Sequence, residues 1–301
     1  MSAAGAPITL AARGKLNLYL HVTGRRADGL HNLDSLVAFA ELADTLTVRP
    51  AKELSLAVDG PFAAALGPVE DNLVLRAARA LATAGRVPAA AEIRLGKRLP
   101  VAAGLGGGSA DAAAALKALA RLWRIDGVDI AGLAAGLGAD VPACLAGVPA
   151  FIAGAGEEVS PAPALPPAGV LLVNPGVALA TPEVFAARRG AYSAADRFAA
   201  APQSVGDLAA VLRDRRNDLT QAAVQLCPQV AEVLETLAAA PGCRLARMSG
   251  SGATCFGLFD DRRAAAGAAP ALARPGWWLV PTRLVSLTRN SIERIPGSKG
   301  H

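Results

Sequence analysis

A chain of 301 residues is long enough for two domains or one large one. With 52% hydrophobic and 18% charged residues it can bury a substantial core, which sets intrinsic disorder aside. A net charge of +5 on dispersed arginines, with seven Phe, three Trp and two Tyr, gives little support to a nucleic-acid surface and suits an anionic small substrate.

Residues 8 to 23 alternate loosely and carry Leu, Tyr and Val, which predicts a strand. The strand holds Ala12-Arg13-Gly14-Lys15-Leu16-Asn17-Leu18, and Lys15 is the sole lysine before position 52 in a chain that prefers arginine. Taken alone, Lys15 reads either as a surface charge at a strand end or as an ammonium aimed at a phosphate or a catalytic carboxylate. Gly24-Arg25-Arg26-Ala27-Asp28-Gly29-Leu30-His31 is turn-rich, so His31 begins the next strand, 33 to 49. A further strand is expected over 53–58. Apolar spacing from Leu73 to Leu81 is helical, with Asp71 or Asn72 as its N-cap. A short strand from Ala91 to Leu95 leads to Lys97, and then to Pro100-Val101-Ala102-Ala103-Gly104-Leu105-Gly106-Gly107-Gly108-Ser109-Ala110.

A glycine-rich loop that feeds a helix N-terminus is a ready phosphate site. Its main chain can be approached closely, and the first helical turn offers unpaired N–H groups at the positive end of the dipole. The helix that follows is expected from about Gly108 to Trp123, with Leu116, Leu119 and Leu122 on one face, and a second over about 130–137. Gly138-Ala139-Asp140-Val141-Pro142 comes next, and its aspartate is either a cap or turn residue or a carboxylate presented at a helix start. Residues 150–167, with Pro161, Pro163, Pro166 and Pro167, read as a domain junction.

Beyond it a buried strand is predicted over Gly169 to Asn174. A helix follows, with Thr181 as N-cap, Pro182 at its first position and Phe185 on it. Helical patterns fill about 207–215 and 229–240, separated by Asn217-Asp218-Leu219. A second glycine loop lies within 247–259 between two strands, and a helix near 261–273 and a strand near 277–286 close the domain. No repeat is evident. The elements give a mixed α+β fold in two domains, 1–160 and 161–301.

Cys144, Cys227, Cys243 and Cys255 form no C-x-x-C pair, so buried reduced thiols in a cytoplasmic protein are expected. Met1 to Ile8 lacks the basic-then-apolar order of a secretory signal, and no run of about 18 unbroken apolar residues suggests a membrane span.

The central stretch, Pro-x3-Gly-Leu-Gly-Gly-Gly-Ser-x-Asp-Ala-Ala, is no Walker A loop, because no Gly-Lys-Ser/Thr closes it. Nor is it a dinucleotide fingerprint, because Ser109 stands where a third glycine belongs. It closely resembles the phosphate loop of the GHMP kinases, which include galactokinase, homoserine kinase and mevalonate kinase. The triple glycine is most similar to the isoprenoid-pathway member of that family. Three more motifs agree in order: Ala-x-x-Lys-Leu-Asn at 12–17, Arg-x-Asp-Gly-x-His at 26–31, and Gly-Ala-Asp-Val-Pro at 138–142. Leu30 replaces the family's tyrosine, and Ala143 replaces its phenylalanine.

The resemblance implies a ribosomal-S5-like N-terminal domain and a ferredoxin-like C-terminal domain. It implies ATP as donor with Mg²⁺, and a small-molecule acceptor, a cytidine diphosphate-linked methylerythritol, with neither nucleic acid nor membrane as partner. It assigns Lys15 and Asp140 to catalysis, Pro100–Ala110 to the donor phosphates, and Asn72 and Lys97 to the nucleotide. Asn17, His31 and Phe185 go to the acceptor, with a glycine loop at 250–253 near its phosphates. It leaves the metal ligands unknown.

Overall fold

The structure, a computed structural model, describes residues 6–285. Its longest elements are β1 (Ile8–Arg25) and β2 (His31–Arg49), an antiparallel hairpin paired along nearly its whole length. The turn between them closes through Asp28, whose Oδ1 accepts from Leu30 N at 3.0 Å, while Arg26 N donates to Leu30 O at 2.8 Å. Gly29 takes the left-handed conformation that such a turn needs.

The far edge of β2 is shared. One end pairs with β4 (Glu92–Gly96), which carries β3 (Ser55–Asp59) in parallel; the other pairs with β5 (Ala150–Gly154), which carries β6 (Glu158–Pro161). Helices α1 (Leu73–Gly85), α2 (Gly107–Trp123), α3 (Ile130–Leu137) and α4 (Val141–Ala146) build a core with this sheet. Asn72 caps α1 by accepting from Val74 N at 2.9 Å. The alanine run of α2 lets α1, α3 and α4 approach it closely, so a helix with few large side chains is still buried around most of its circumference.

The second sheet is antiparallel throughout, in the order β10-β7-β9-β8: β7 (Gly169–Asn174), β8 (Leu245–Met248), β9 (Cys255–Phe259) and β10 (Trp278–Arg283). Its helices are α5 (Thr181–Ala187), α6 (Val205–Arg213), α7 (Thr220–Leu226), α8 (Gln229–Ala238) and α9 (Arg262–Leu272). Val173, Val230, Val233, Phe259 and Leu272 belong to the core on the helix-covered side. A third cluster joins the halves: Leu16, Leu18 and Leu36 from the hairpin meet Val170, Phe256 and Leu258 from the second sheet, with Leu208 and Leu212 of α6. After β10 the chain returns to the first sheet, where Val285 N donates to Phe39 O at 2.8 Å in the gap between β4 and β5.

Three expectations need correction. The expected junction, 150–167, begins with two strands, β5 and β6; its four prolines all fall at or beyond the last residue of β6, so only 162–168 connects the sheets. Helix α7 occupies a stretch given no helix in the sequence reading, because its seven residues are too few to show a clear period. Ala180, not Thr181, is the N-cap of α5; Thr181 opens the helix, and its Oγ1 lies 2.8 Å from Ser251 Oγ. The part of the last predicted strand at and beyond 286 lies outside the described residues. No helix among the described residues is long and apolar enough to cross a membrane.

Candidate active site

The pairing of β1 with β2 shifts register between Arg13 and Lys15 and again between Asn17 and Tyr19. Such irregularities re-aim side chains, and of the three residues between them Lys15 and Asn17 turn polar groups toward one point. Lys15 is 4% exposed, and its Nζ lies 3.1 Å from Asp140 Oδ2 and 2.8 Å from Asn17 Oδ1. Asn17 spends the other end of its amide on Ser35 Oγ, at 2.8 Å. Asp140 stands at the N-cap of α4, yet its side chain caps nothing. Its carboxylate is 42% exposed and reaches Lys15 across 125 residues of sequence. The local readings left a cap and a presented carboxylate as alternatives, and the geometry is that of a presented carboxylate.

The glycine loop lies against this pair. Lys15 N donates to Leu105 O at 2.8 Å, and a Cβ on Gly106, whose φ is 62°, would come within 3.2 Å of Lys15 Cε. Gly104, at φ 75°, admits no side chain: a Cβ would overlap the Ser249 carbonyl oxygen and stand 2.9 Å from Gly252 N. Ser249 belongs to the second glycine loop, and its hydroxyl donates to Gly104 O at 2.9 Å while accepting from Asn17 N at 3.1 Å. Thr254 N adds a bond to Ala103 O at 3.2 Å. The second loop therefore braces the first, and its Gly250 and Ser251 also reach the cavity.

No side chain caps α2, and its first intrahelical bond runs from Ala110 N to Gly106 O at 2.9 Å. The N–H groups of Gly107, Gly108 and Ser109 are thus left for a ligand, on residues that line a cavity of about 730 Å³. A loop without Cβ atoms at Gly104 and at Gly106–Gly108, beside an uncapped 17-residue helix, is the form a polyphosphate requires, so the residues present fit ATP.

The same cavity extends to His31 and Phe185, whose rings stack at 5.1 Å and 23°. Burial, helped by the charges of Arg25 and Arg188, holds the His31 pKa below the usual histidine value. Leu30 is 54% exposed at this end and leaves an open apolar face where a ring is absent.

Comparison with known proteins agrees with this geometry. Residues 72–148 match the GHMP kinases N terminal domain, and residues 197–276 match the GHMP kinases C terminal domain. A 4-diphosphocytidyl-2-C-methyl-D-erythritol kinase of Paramagnetospirillum magneticum is 54% identical over 92% of this chain and 99% of its own. One from Rhodospirillum rubrum is 53% identical over 96% and 95%. The chain belongs to the GHMP kinase family. A crystal structure of 4-(cytidine 5'-diphospho)-2C-methyl-D-erythritol kinase, 38% identical, superposes with a TM-score of 0.75 over 92% of this chain and 99% of that one. A homoserine kinase structure from Cytophaga hutchinsonii, 16% identical, shares the fold with a TM-score of 0.71 over 95% and 97%.

Two residues that the resemblance assigned to the nucleotide also serve the fold of this GHMP kinase. Asn72 uses its Oδ1 as the cap of α1 and is not among the residues that line the cavity, although the neighbouring Leu73 is. Lys97 is 2% exposed at the cavity's edge, and its ammonium is committed beneath the loop to Asp44 and to Asp111 Oδ2, the latter at 2.8 Å. Asp44 Oδ1 also accepts from Leu99 N at 2.8 Å, which fixes the chain's exit from β4. Asp111 Oδ1 is buried with no partner. Burial, opposed by Lys97 and reinforced by Asp44, pushes the Asp111 carboxyl up to about 7. Burial also pulls on Lys97, but Asp111 and Asp44 more than offset it, so its pKa stands above the ordinary lysine value.

Sequence reasoning passed over Asp44, Asp111 and Ser249. Asp111 did leave a signal, a single carboxylate in the alanine run of α2, where charge would otherwise be unwelcome. Ser249 was visible only as part of a glycine loop, and Asp44 had no local mark.

Proposed function

We propose that the chain is an ATP-dependent kinase that phosphorylates the 2-hydroxyl of 4-diphosphocytidyl-2-C-methyl-D-erythritol, a step of the non-mevalonate route to isoprenoid precursors. The observation that carries this reading is the Lys15–Asp140 pair, set in one cavity that has the glycine loop and the His31–Phe185 stack among its walls. Phosphoryl transfer asks the protein mainly for positioning and charge stabilisation.

On this reading the main-chain N–H groups of Gly107, Gly108 and Ser109 hold the donor phosphates at the positive end of α2. Asp140, half open to the cavity, accepts the proton of the substrate hydroxyl. Lys15 holds that carboxylate in place through their ion pair and offsets negative charge on the group in flight. Asn17 orients the ammonium through its Oδ1, which makes it a positioning residue first and an acceptor contact second. His31 and Phe185 offer a stacked face to the cytosine, and Leu30 extends it with aliphatic surface. A magnesium ion, when bound, neutralises charge on the donor phosphates; those phosphates and the Ser109 hydroxyl would hold it, in keeping with the sparse protein ligation usual for this ion.

The domains are taken as 1–160 for the donor and 161–301 for the completing half. The reaction belongs to the cytoplasm, which suits four cysteines that stand as free thiols.

A coupled ADP-release assay tests the reading with four acceptors: the cytidyl methylerythritol, mevalonate, homoserine and galactose. Release with the first alone is expected, and release with any of the other three in its place would overturn the assignment.

A further inference from the structure

A second cavity, of about 540 Å³, shares no lining residue with the first. Four arginines line it, Arg188, Arg189, Arg216 and Arg247, against a single carboxylate, Asp218. Asp218 is already engaged: it pairs with Arg216 Nε at 2.7 Å and accepts from Val22 N at 2.8 Å. Among the described residues, none of the other three guanidinium groups has a carboxylate partner. Arg188 and Arg189 donate only to carbonyl oxygens within residues 186–191, and Arg188 Nε is buried with no partner. Arg247 is 8% exposed and donates to Leu18 O at 2.8 Å and Leu212 O at 2.9 Å. Its burial without a countercharge pulls its pKa down to about 10.

Gathering uncompensated cations into one concave, partly desolvated place is costly unless an anion completes it. Guanidinium forks match phosphate oxygens two at a time. A cavity of this size admits a small molecule rather than a macromolecule.

We propose that this second cavity is an anion site for a small phosphate- or diphosphate-bearing molecule, and that its occupancy is felt on the acceptor side of the catalytic cavity. Two connections carry the coupling. Phe185 and Ala186 line the first cavity while Arg188 and Arg189, at the end of the same helix, line the second; the Arg188 charge already acts on His31. Asn217, in the wall of the second cavity, donates through Nδ2 to Met248 O and Gly250 O, both at 2.8 Å, and so grips the loop that braces Gly104.

The test is a calorimetric titration of inorganic pyrophosphate into the full chain, saturated beforehand with the β,γ-imido analogue of ATP to fill the glycine loop. One further binding site is expected, weakened about tenfold or more in the double variant Arg188→Gln/Arg189→Glu. Arg189→Glu alone, at an exposed side chain, weakens binding in the same direction and serves if the double variant fails to fold. No binding to the saturated protein, or an affinity that neither variant changes, overturns the site. The coupling has its own readout: by NMR titration, bound pyrophosphate raises the His31 pKa, because a neutralised Arg188 no longer opposes the imidazolium. Pyrophosphate that binds and leaves His31 unmoved overturns the coupling. Neither arm uses turnover, so its result is separate from that of the ADP-release panel.

Discussion

Two lysines stand on either side of the glycine loop, and they live in opposite circumstances. Lys15 faces one carboxylate and one amide, and its acid, Asp140, keeps 42% of its side-chain surface open to the cavity. Lys97 faces two carboxylates, and Asp44 and Asp111 are almost wholly sealed, at 0% and 3% side-chain exposure. The residue types match, but their chemical prospects do not. A carboxylate at a cavity wall can exchange a proton with a bound hydroxyl, whereas one sealed under a helix can only hold chain segments together. The contrast teaches that access, more than pairing, separates an acid–base group from a structural one.

The comparison breaks most directly at Asp140. On the proposed reading Asp140→Asn lowers kcat by about 10²–10⁴-fold, the usual worth of a general base, while calorimetry shows ATP still bound. Near-normal turnover would remove Asp140 from that role. The sealed side should respond in stability rather than in chemistry. Lys97→Met leaves two buried carboxylates without their cation, and a loss of about 3–5 kcal/mol is expected in denaturant titrations; a loss within the range of a surface pair, about 0–1 kcal/mol, would show that the triad holds nothing.

The smallest effect is a pH dependence. In the folded chain Asp111 binds its proton more tightly than the ordinary value of 3.8, with a pKa of about 7. The folded state therefore holds more protons than the unfolded state between those values. This group's contribution is fully present below about pH 4 and is lost as the pH rises through about 7. Asp111→Asn should flatten that part of the stability–pH curve, and an unaltered slope would mean that another group titrates there.

Much of the architecture was legible because its signals are local. The long hairpin shows in its apolar pattern and its Asp-Gly turn, and α1 shows in helical spacing behind a capping asparagine. The glycine loop was legible for the same reason, as four glycines in five positions ahead of a helix. Lys15 and Asp140 each stood in a short motif, but their 3.1 Å approach is tertiary and no local pattern contains it. The Asp44–Lys97 pair spans 53 residues and the Ser249–Gly104 bond spans 145, so neither left a readable period. Prolines misled at the junction, where their density hid two strands that end just as the run begins. Helix α7 failed for want of length.

The bond from Ser249 to Gly104 has a consequence for how the molecule comes into being. Synthesis runs from the N-terminus, and folding of the first half can begin while the second is still being made. For most of that time the glycine loop exists without the hydroxyl that donates to its Gly104 carbonyl and without the amide of Thr254 that supports Ala103. The nascent chain thus carries the sequence of its glycine loop long before it carries the braced loop itself, and the last quarter of translation determines when the loop first has its final shape.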